Sequence, residues 1–178
     1  MSKIAGFFVI AILFAQVALA VPAKTQRALF SAGCFWKVQY NFSKVPGVVK
    51  TTVGYCGGNL NNPTYEQVCS DKTGHAETVE VVFDPEKTSY QQLLKVFFDK
   101  HDPTTVNRQG PDIGTQYRSM IFYTTPEQKL AALKYVDQLE RNKQFYAPIS
   151  TKIEAAPKFY PAEDYHQNYY QKHGQVCF

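Results

Sequence analysis

The sequence of 178 residues has no Cys-x-x-Cys pair, no run of basic residues, no internal repeat and no low-complexity tract. Its four cysteines, Cys34, Cys56, Cys69 and Cys177, are spaced along the chain in a way that does not match a zinc site, so we expect no metal on these thiols. The formal net charge at pH 7 is only +4. Without a basic run or a basic helix face, this small charge gives no support for nucleic-acid binding.

The first residues have the composition of a secretory signal peptide. A single early lysine, Lys3, precedes an apolar run that ends in small residues at Ala20. This pattern predicts a signal peptide over residues 1–20, cleaved after Ala20, and hence an exported protein that is periplasmic or secreted. The uncharged run is also about long enough to span a bilayer, so an uncleaved anchor is the alternative. The remaining residues, 21–178, are sufficient for one domain with its own core.

Hydrophobic periodicity after this leader predicts alternating strands and helices. Short alternating or apolar runs indicate strands, and apolar residues four apart indicate helices packed on a core. The predicted strands cover residues 28–33, 48–55, 77–83, 119–125 and 148–156, and the predicted helices cover residues 34–45, 89–100, 126–143 and 160–174. The first six elements follow the order β-α-β-β-α-β. This order indicates an α+β fold, a two-layer α/β sandwich of ferredoxin-like type with long functional loops.

Cys34 lies where the first predicted strand ends and the first predicted helix begins. The free backbone amides and the positive dipole end at a helix start lower the pKa of a thiol, and the thiolate is the nucleophilic form. Cys34 is therefore a candidate nucleophile, and an inert buried cysteine is the alternative interpretation of this position.

Further polar candidates lie in or beside two long loops, which are predicted over residues 56–75 and 101–118. Glu77 begins a strand, where a glutamate is commonly solvated; among aromatic side chains its pKa would instead rise, so that it could donate a proton near pH 7. Tyr65 and Tyr117 lie in separate loops, the latter close to Asp112. Two phenol hydroxyls beside an acid and a thiolate can hold a polar oxygen, although loop tyrosines more often serve packing.

Two other functions are compatible with parts of this pattern. An even cysteine count in an exported chain suggests a binding domain held by two disulfides, with three possible connectivities. A thiol hydrolase with a Cys34–His75 pair is the other alternative, and it requires an oxyanion hole and a third orienting group. The disulfide-held binding domain does not explain why the thiol at the helix start is followed by a Phe-Trp pair.

Taken together, the motifs resemble the A-type peptide methionine sulfoxide reductases. The resemblance covers about residues 28–177 and rests on motifs in a fixed order: GCFW, VGYCGG, NPTYEQVCS, TGHAE, HDPTTVNRQGPDIGTQYRS and YHQNY. It implies a two-layer α/β sandwich that reduces methionine S-sulfoxide, protein-bound or free, with no metal and no organic cofactor. It also implies a thioredoxin-like dithiol as the source of electrons. We expect a monomer.

The resemblance also implies a role for each matching side chain. Cys34 corresponds to the family's nucleophile and Glu77 to its proton donor. Tyr65 and Tyr117 correspond to the tyrosines that bond the sulfoxide oxygen, and Asp112 to a supporting acid. Attack by the thiol would release methionine and leave a sulfenic acid on the enzyme.

The substrate pocket and the recycling thiol are assigned in the same way. Phe35 and Trp36 correspond to the pocket for the substrate methyl group. Cys177, which follows a predicted helix stop, is our choice for the resolving thiol, with Cys56 as a less favoured choice. The alternative interpretation of Cys177 is a structural disulfide or a spare thiol. Cys69 is predicted to be structural or inert.

The sequence departs from the family pattern at two positions near these motifs. Lys37 follows GCFW, where glycine is frequent, and it either helps to hold a thiolate or points to water. Asp71 stands where the family commonly has glycine, in the turn before TGHAE. Because aspartate tolerates turn geometry, we expect the second change to have little effect.

Overall fold

The structure is a computed structural model that describes residues 25–174. The predicted signal peptide, its cleavage point after Ala20 and the predicted resolving thiol Cys177 lie outside the described residues. Within residues 25–174, no helix has the length and apolar character needed to cross a membrane.

A six-stranded sheet forms one layer of the fold, and helices form the other. The strands are β1 (Gln26–Ser31), β2 (Val48–Cys56), β3 (Ala76–Phe83), β4 (Arg108–Gln109), β5 (Asp112–Ile113), β6 (Met120–Tyr123), β7 (Lys152–Ala155) and β8 (Tyr160–Pro161). The helices are α1 (Phe35–Ser43), α2 (Tyr65–Cys69), α3 (Tyr90–Asp99), α4 (Pro126–Arg141) and α5 (Tyr169–His173), with short 3₁₀ helices at Thr115–Tyr117 and Asp164–His166.

The strand order confirms the predicted ferredoxin-like sandwich. The main sheet has the order β7-β6-β1-β3-β2-β8, and its four inner strands pair antiparallel with one another. Helix α1 connects β1 to β2, and α3 lies between β3 and β6 along the chain, as the β-α-β-β-α-β pattern requires. Strand β7 extends the sheet in parallel beyond β6, and β8 extends it antiparallel beyond β2.

The main core lies between the sheet and its helices, and the alternating pattern of the strands supplies it. In β3, Val79, Val81 and Phe83 point inward and are fully buried. Apolar side chains of α1 and α3, including Phe42 and Phe97, cover them. Burial of this apolar surface is the dominant contribution to the stability of the sandwich.

A smaller cluster lies on the opposite face of the sheet. It contains Leu29, Cys56, Met120 and Phe122, and their neighbours in the strands point to the helix side. Successive residues of a strand point to opposite faces, so Cys56 and the preceding Tyr55 face different layers. This alternation determines which cysteines can reach the site described below.

Two predictions of secondary structure were wrong in detail. The predicted helix over 160–174 is divided into β8, a 3₁₀ turn and α5, because β8 pairs with Gly54 and Tyr55 of β2. The chain still ends this helix at Gly174, which has a positive φ of 64°. Helix α2 lies within a predicted loop, and the Thr64–Gln67 capping box that starts it is visible in the sequence.

Candidate active site

One cavity of about 430 Å³ brings together all seven side chains assigned to the chemistry and the methyl pocket. They come from α1, α2, β3, the β4–β5 hairpin and the 3₁₀ turn before β6. The seven residues are Cys34, Phe35, Trp36, Tyr65, Glu77, Asp112 and Tyr117. The long loops of the sequence therefore converge on one site, as their length suggested.

Cys34 is placed at the cavity by a turn that only glycine fits well. Gly33 has a φ of 86°, and a Cβ atom at this position would lie 2.6 Å from the side chain of Gln109. The turn ends β1 and makes Cys34 the N-cap residue of α1. The thiol is half-buried and faces the cavity at the start of the helix, as the sequence predicted.

The prediction of a lowered thiol pKa was wrong for the protein without substrate. Burial of the Cys34 sulfur and the nearby charge of Glu77 raise its pKa to about 12, although the backbone amides of Trp36 and Lys37 act in the opposite direction. The local effect of the helix start is present, but desolvation and an acid from another strand outweigh it. The resting form of Cys34 at pH 7 is consequently the neutral thiol.

Glu77 is buried rather than solvated, with only 2% of its surface exposed. One carboxyl oxygen accepts a hydrogen bond of 2.9 Å from the backbone N–H of Phe35, the residue that follows Cys34. The pKa of Glu77 is raised to about 8: burial is the main cause, the Phe35 amide opposes the shift, and the charge of Asp112 adds to it. At pH 7 this carboxyl group is therefore mostly protonated and can donate a proton into the cavity.

Two phenol hydroxyls complete the polar side of the cavity. Burial raises the pKa of both Tyr65 and Tyr117, and the charge of Glu77 adds to the shift in each case, so both remain hydrogen-bond donors at any physiological pH. Burial also raises the pKa of Asp112, while Lys37 lowers it. The polar side thus presents several neutral donors to a bound oxygen.

The apolar side is an aromatic wall with a fixed orientation. The indole of Trp36 stacks on Tyr169 with ring centroids 3.9 Å apart and an angle of 10° between the planes. Phe35 is fully buried, and the centroid of its ring lies 5.9 Å from that of Tyr55. Such a wall suits a thioether methyl group, because sulfur and its methyl substituents pack favourably against aromatic rings.

Sequence analysis missed a polar network that supports both sides of the cavity. Glu163 accepts a hydrogen bond of 2.9 Å from the backbone N–H of Tyr65 and another of 2.9 Å from the hydroxyl of Tyr55. These bonds lower the pKa of Glu163, against a raising effect of its partial burial. The carboxylate therefore fixes the start of the short helix that carries Tyr65.

His166 performs a similar task for the aromatic wall. The Trp36 indole N–H donates to its Nδ1 atom at 3.1 Å, so the ring hydrogen of the neutral imidazole is on Nε2, 4.0 Å from Glu163. Burial lowers the pKa of His166, which favours this neutral form. The AEDYHQNY segment of the sequence contains both residues and is the signal that could have identified them.

The positions of the other cysteines and of His75 argue against the two alternative functions. The three described cysteines, Cys34, Cys56 and Cys69, are free thiols, whereas a domain held by two disulfides would use all four. His75 bonds the Gly58 amide and the Leu60 carbonyl through its two ring nitrogens and so holds the loop. It is therefore not paired with Cys34.

The remaining thiols differ in accessibility. Cys56 is fully buried in the cluster on the opposite face of the sheet, and Cys69 is exposed at the end of α2. Within residues 25–174, no group of three or more acidic, histidine or cysteine side chains is placed to hold a metal ion.

Comparison with known proteins shows the family to which the chain belongs. Residues 26–177 match the family described as peptide methionine sulfoxide reductase. A relative of that name (MsrA) from Methanoculleus marisnigri is 54% identical over 154 residues, which are 86% of this chain and 94% of the relative. The structure of yeast Mxr1 in its reduced form has a TM-score of 0.82 at 34% identity and covers 89% of this chain and 91% of its own.

A second solved structure supports the same assignment. Methionine sulfoxide reductase A of Corynebacterium diphtheriae has a TM-score of 0.76 at 36% identity, with 89% of this chain and 79% of the other covered. The fold, the cavity and the sequence matches all lead to one family. The chain therefore belongs to the peptide methionine sulfoxide reductases and is an enzyme of their A type.

Proposed function

We propose that this reductase acts on the S epimer of methionine sulfoxide, in proteins and as the free amino acid, with Cys34 as nucleophile and Glu77 as proton donor. The observation that carries the proposal is the buried, protonated Glu77, which is bonded to the amide next to Cys34 in the same cavity. A sulfoxide sulfur is a weak electrophile, so it needs a nucleophile at sulfur and a proton on its oxygen together.

The chemical step transfers one oxygen atom to the enzyme. The Cys34 sulfur forms a bond to the sulfoxide sulfur while Glu77 protonates the oxygen. That oxygen then moves to the Cys34 sulfur: the new sulfur–oxygen bond forms as the sulfur–oxygen bond of the substrate and the sulfur–sulfur bond break, and methionine leaves. Cys34 ends as a sulfenic acid, so the thiol is oxidised by two electrons and the substrate is reduced by two. Glu77 gives its proton to the oxygen and takes up the thiol proton of Cys34, because the resting forms of both groups are neutral at pH 7.

The two sides of the cavity would orient the substrate. The Tyr65 and Tyr117 hydroxyls donate to the oxygen as negative charge develops there, with Asp112 supporting this polar side. Phe35 and Trp36 hold the methyl group on the opposite side. With methyl and oxygen positions both fixed, only one configuration at sulfur leaves the sulfur lone pair and the peptide chain correctly placed, and we assign it to the S form.

The sulfenic acid is then removed by a second thiol, for which we propose Cys177. Condensation of the two groups forms a Cys34–Cys177 disulfide and releases water. Among the described alternatives, Cys56 is fully buried on the opposite face of the sheet and is unsuited to this role. Cys69 is exposed near the Tyr65 hydroxyl, and we propose no part for it in turnover.

A thioredoxin-like dithiol would return the disulfide to two thiols, and no metal or organic cofactor takes part in the proposed cycle. The yeast relative Mxr1 has been solved in complex with Trx2. We further propose that the enzyme acts as a monomer, since one chain supplies the complete cavity.

We also propose that the enzyme is exported and repairs oxidised exported proteins in a periplasm or outside the cell. The lysine, apolar run and small residues before Val21 support cleavage after Ala20. Expression of the full chain in an exporting host, followed by sequencing of the mature N-terminus, tests this. A mature protein that begins at Val21 in the exported fraction is expected, and retention of Met1 in the cytosol would contradict the proposal.

A single-turnover assay tests the chemistry. Pre-reduced protein is mixed with separate S and R epimers of a blocked methionine sulfoxide, and methionine and thiols are counted in the same sample. We expect one methionine per protein from the S epimer only, with the loss of two thiols. Product from the R epimer would refute the proposed orientation, and the loss of a single thiol would refute the disulfide step.

A further inference from the structure

A contact between two loops reaches the site from outside the cavity. Asp71 lies two residues beyond α2 and has a φ of 61°, in the left-handed region. Its Oδ1 atom accepts a hydrogen bond of 2.8 Å from the backbone N–H of Thr115 and a second bond from the Thr115 hydroxyl. Thr115 is the first residue of the 3₁₀ turn that ends with Tyr117.

This contact caps a turn that has no cap of its own. The residue before the turn is Gly114, which has no side chain to accept from the first free amides. Asp71 supplies that acceptor from 44 residues earlier in the chain, in the way that an aspartate at the N-cap position does locally. The start of the Tyr117 turn is therefore anchored to the end of α2.

Arg118 adds one bond within the turn and one bond from the turn to the segment that follows α2. The guanidinium of Arg118 donates to the carbonyl of Thr115 at 2.7 Å and to the carbonyl of Gly74 at 2.9 Å. Tyr117 thus lies between two anchored residues of the chain, Thr115 and Arg118. Asp71 follows the helix that begins with Tyr65. Its bonds to Thr115 therefore also connect the segment that carries Tyr65 to the turn that carries Tyr117, and both phenols line the cavity.

We propose that Asp71 is a positioning residue for the reduction: it holds the Tyr117 hydroxyl at the sulfoxide oxygen through Thr115. The inference rests on the proposed role of Tyr117. The expectation that Asp71 has little effect considered only its backbone, for which the φ of 61° is indeed tolerated. The side chain adds two hydrogen bonds that a glycine at this position would lack.

The φ of Asp71 allows a clean pair of variants. Asp71→Gly keeps the backbone conformation and removes the acceptor, whereas Asp71→Asn keeps an acceptor oxygen and also tolerates a positive φ. In the single-turnover assay at saturating S epimer, we expect Asp71→Gly to lower the rate about fivefold, as for one weakened hydrogen bond in the transition state. Asp71→Asn should restore most of that rate.

The double variant separates positioning from general destabilisation. If Asp71 acts through the Tyr117 hydroxyl, Asp71→Gly should have no further effect on the rate in a Tyr117→Phe background. Amide hydrogen exchange supplies a readout without turnover: the Thr115 amide should be protected in the original protein and in Asp71→Asn, and should exchange faster in Asp71→Gly. Melting temperatures of all variants control for loss of fold.

Several results would overturn the inference. An unchanged rate in Asp71→Gly, an equal loss of rate in the Tyr117→Phe background, or unchanged exchange at Thr115 would each remove Asp71 from this role. If Tyr117→Phe alone leaves the rate of the original protein unchanged, the proposed role of Tyr117 fails, and the inference fails with it. That outcome is distinguishable because it does not involve any change at position 71.

Discussion

Cys34 and Cys56 have nearly the same ionisation behaviour and very different surroundings. Burial raises the thiol pKa of each to about 12. Cys34, however, faces a cavity and a protonated Glu77, whereas Cys56 is packed with Leu29 and Met120 on the opposite face of the sheet. The comparison shows that a pKa alone does not identify a nucleophile. Access for the substrate and an adjacent proton donor distinguish the two thiols.

The largest expected effect comes from exchanging sulfur for oxygen at each position. Cys34→Ser should lose all turnover, because a serine hydroxyl without an adjacent base is a far weaker nucleophile than a cysteine. Cys56→Ser should keep single-turnover activity and recycling, since Cys56 does not reach the cavity. Methionine formation measured on both variants checks the comparison. Loss of recycling in Cys56→Ser would transfer the resolving role to that residue.

Replacement of Glu77 should leave Cys34 without an adjacent proton donor, which is the situation of Cys56. Glu77→Gln retains an oxygen that can accept from the Phe35 amide but cannot donate a carboxylic proton. We expect the single-turnover rate to fall on the order of 10²-fold or more, as for loss of a general acid. Methionine formed from the S epimer, measured in samples quenched at successive times, gives this rate. A normal rate in the variant would exclude Glu77 from the mechanism.

The same variant should increase the reactivity of the Cys34 thiol toward an alkylating reagent. Above about pH 8 the Glu77 carboxyl is charged and raises the pKa of Cys34, and this charge is absent in Glu77→Gln. Below that pH the acid is protonated in the original protein, so the two proteins should react alike. The ratio of iodoacetamide rates, variant over original, should therefore rise several-fold through about pH 8. A ratio that stays constant with pH would contradict the coupling.

The smallest expected effect is on stability, and here a change at Cys56 should cost more than a change at Cys34. Cys56→Ala leaves a void in a fully buried cluster and should lower the free energy of unfolding by about 1–2 kcal/mol. Cys34→Ala, at the wall of an existing cavity, should lower it by less. Urea unfolding of the two variants at pH 7 measures the difference. Equal losses would mean that the two sites are packed alike.

The part of the fold that could be predicted depends on local periodicity. The alternation of Val79, Val81 and Phe83 and the spacing of Leu93 and Phe97 correctly predicted a strand and a helix facing the same core. The error at 160–174 arose because β8 is stabilised by pairing with β2, about a hundred residues away, which no local pattern encodes. Tertiary pairing overrides propensity in such segments.

In the candidate site, too, local features could be predicted from the sequence and effects of distant residues could not. The position of Cys34 at a helix start followed from its own neighbours, but its pKa is governed by burial and by Glu77 from a distant strand. The network of Glu163 and His166 was likewise missed, because its partners Tyr65 and Trp36 lie about a hundred residues or more earlier. Residue types at a site can be predicted from sequence, while their mutual electrostatics require the fold.

The burial of Cys56 behind the sheet has a consequence for the lifetime of the protein in an oxidising medium. A reagent or a foreign disulfide can reach this sulfur only when the packing around it opens, so the rate of its modification records how often this part of the protein opens locally. In a Cys34→Ser background, the rate at which Cys56 is labelled would measure the rate of local unfolding. The frequency of that opening, rather than the chemistry of the thiol, limits how long the enzyme avoids an incorrect disulfide at this position.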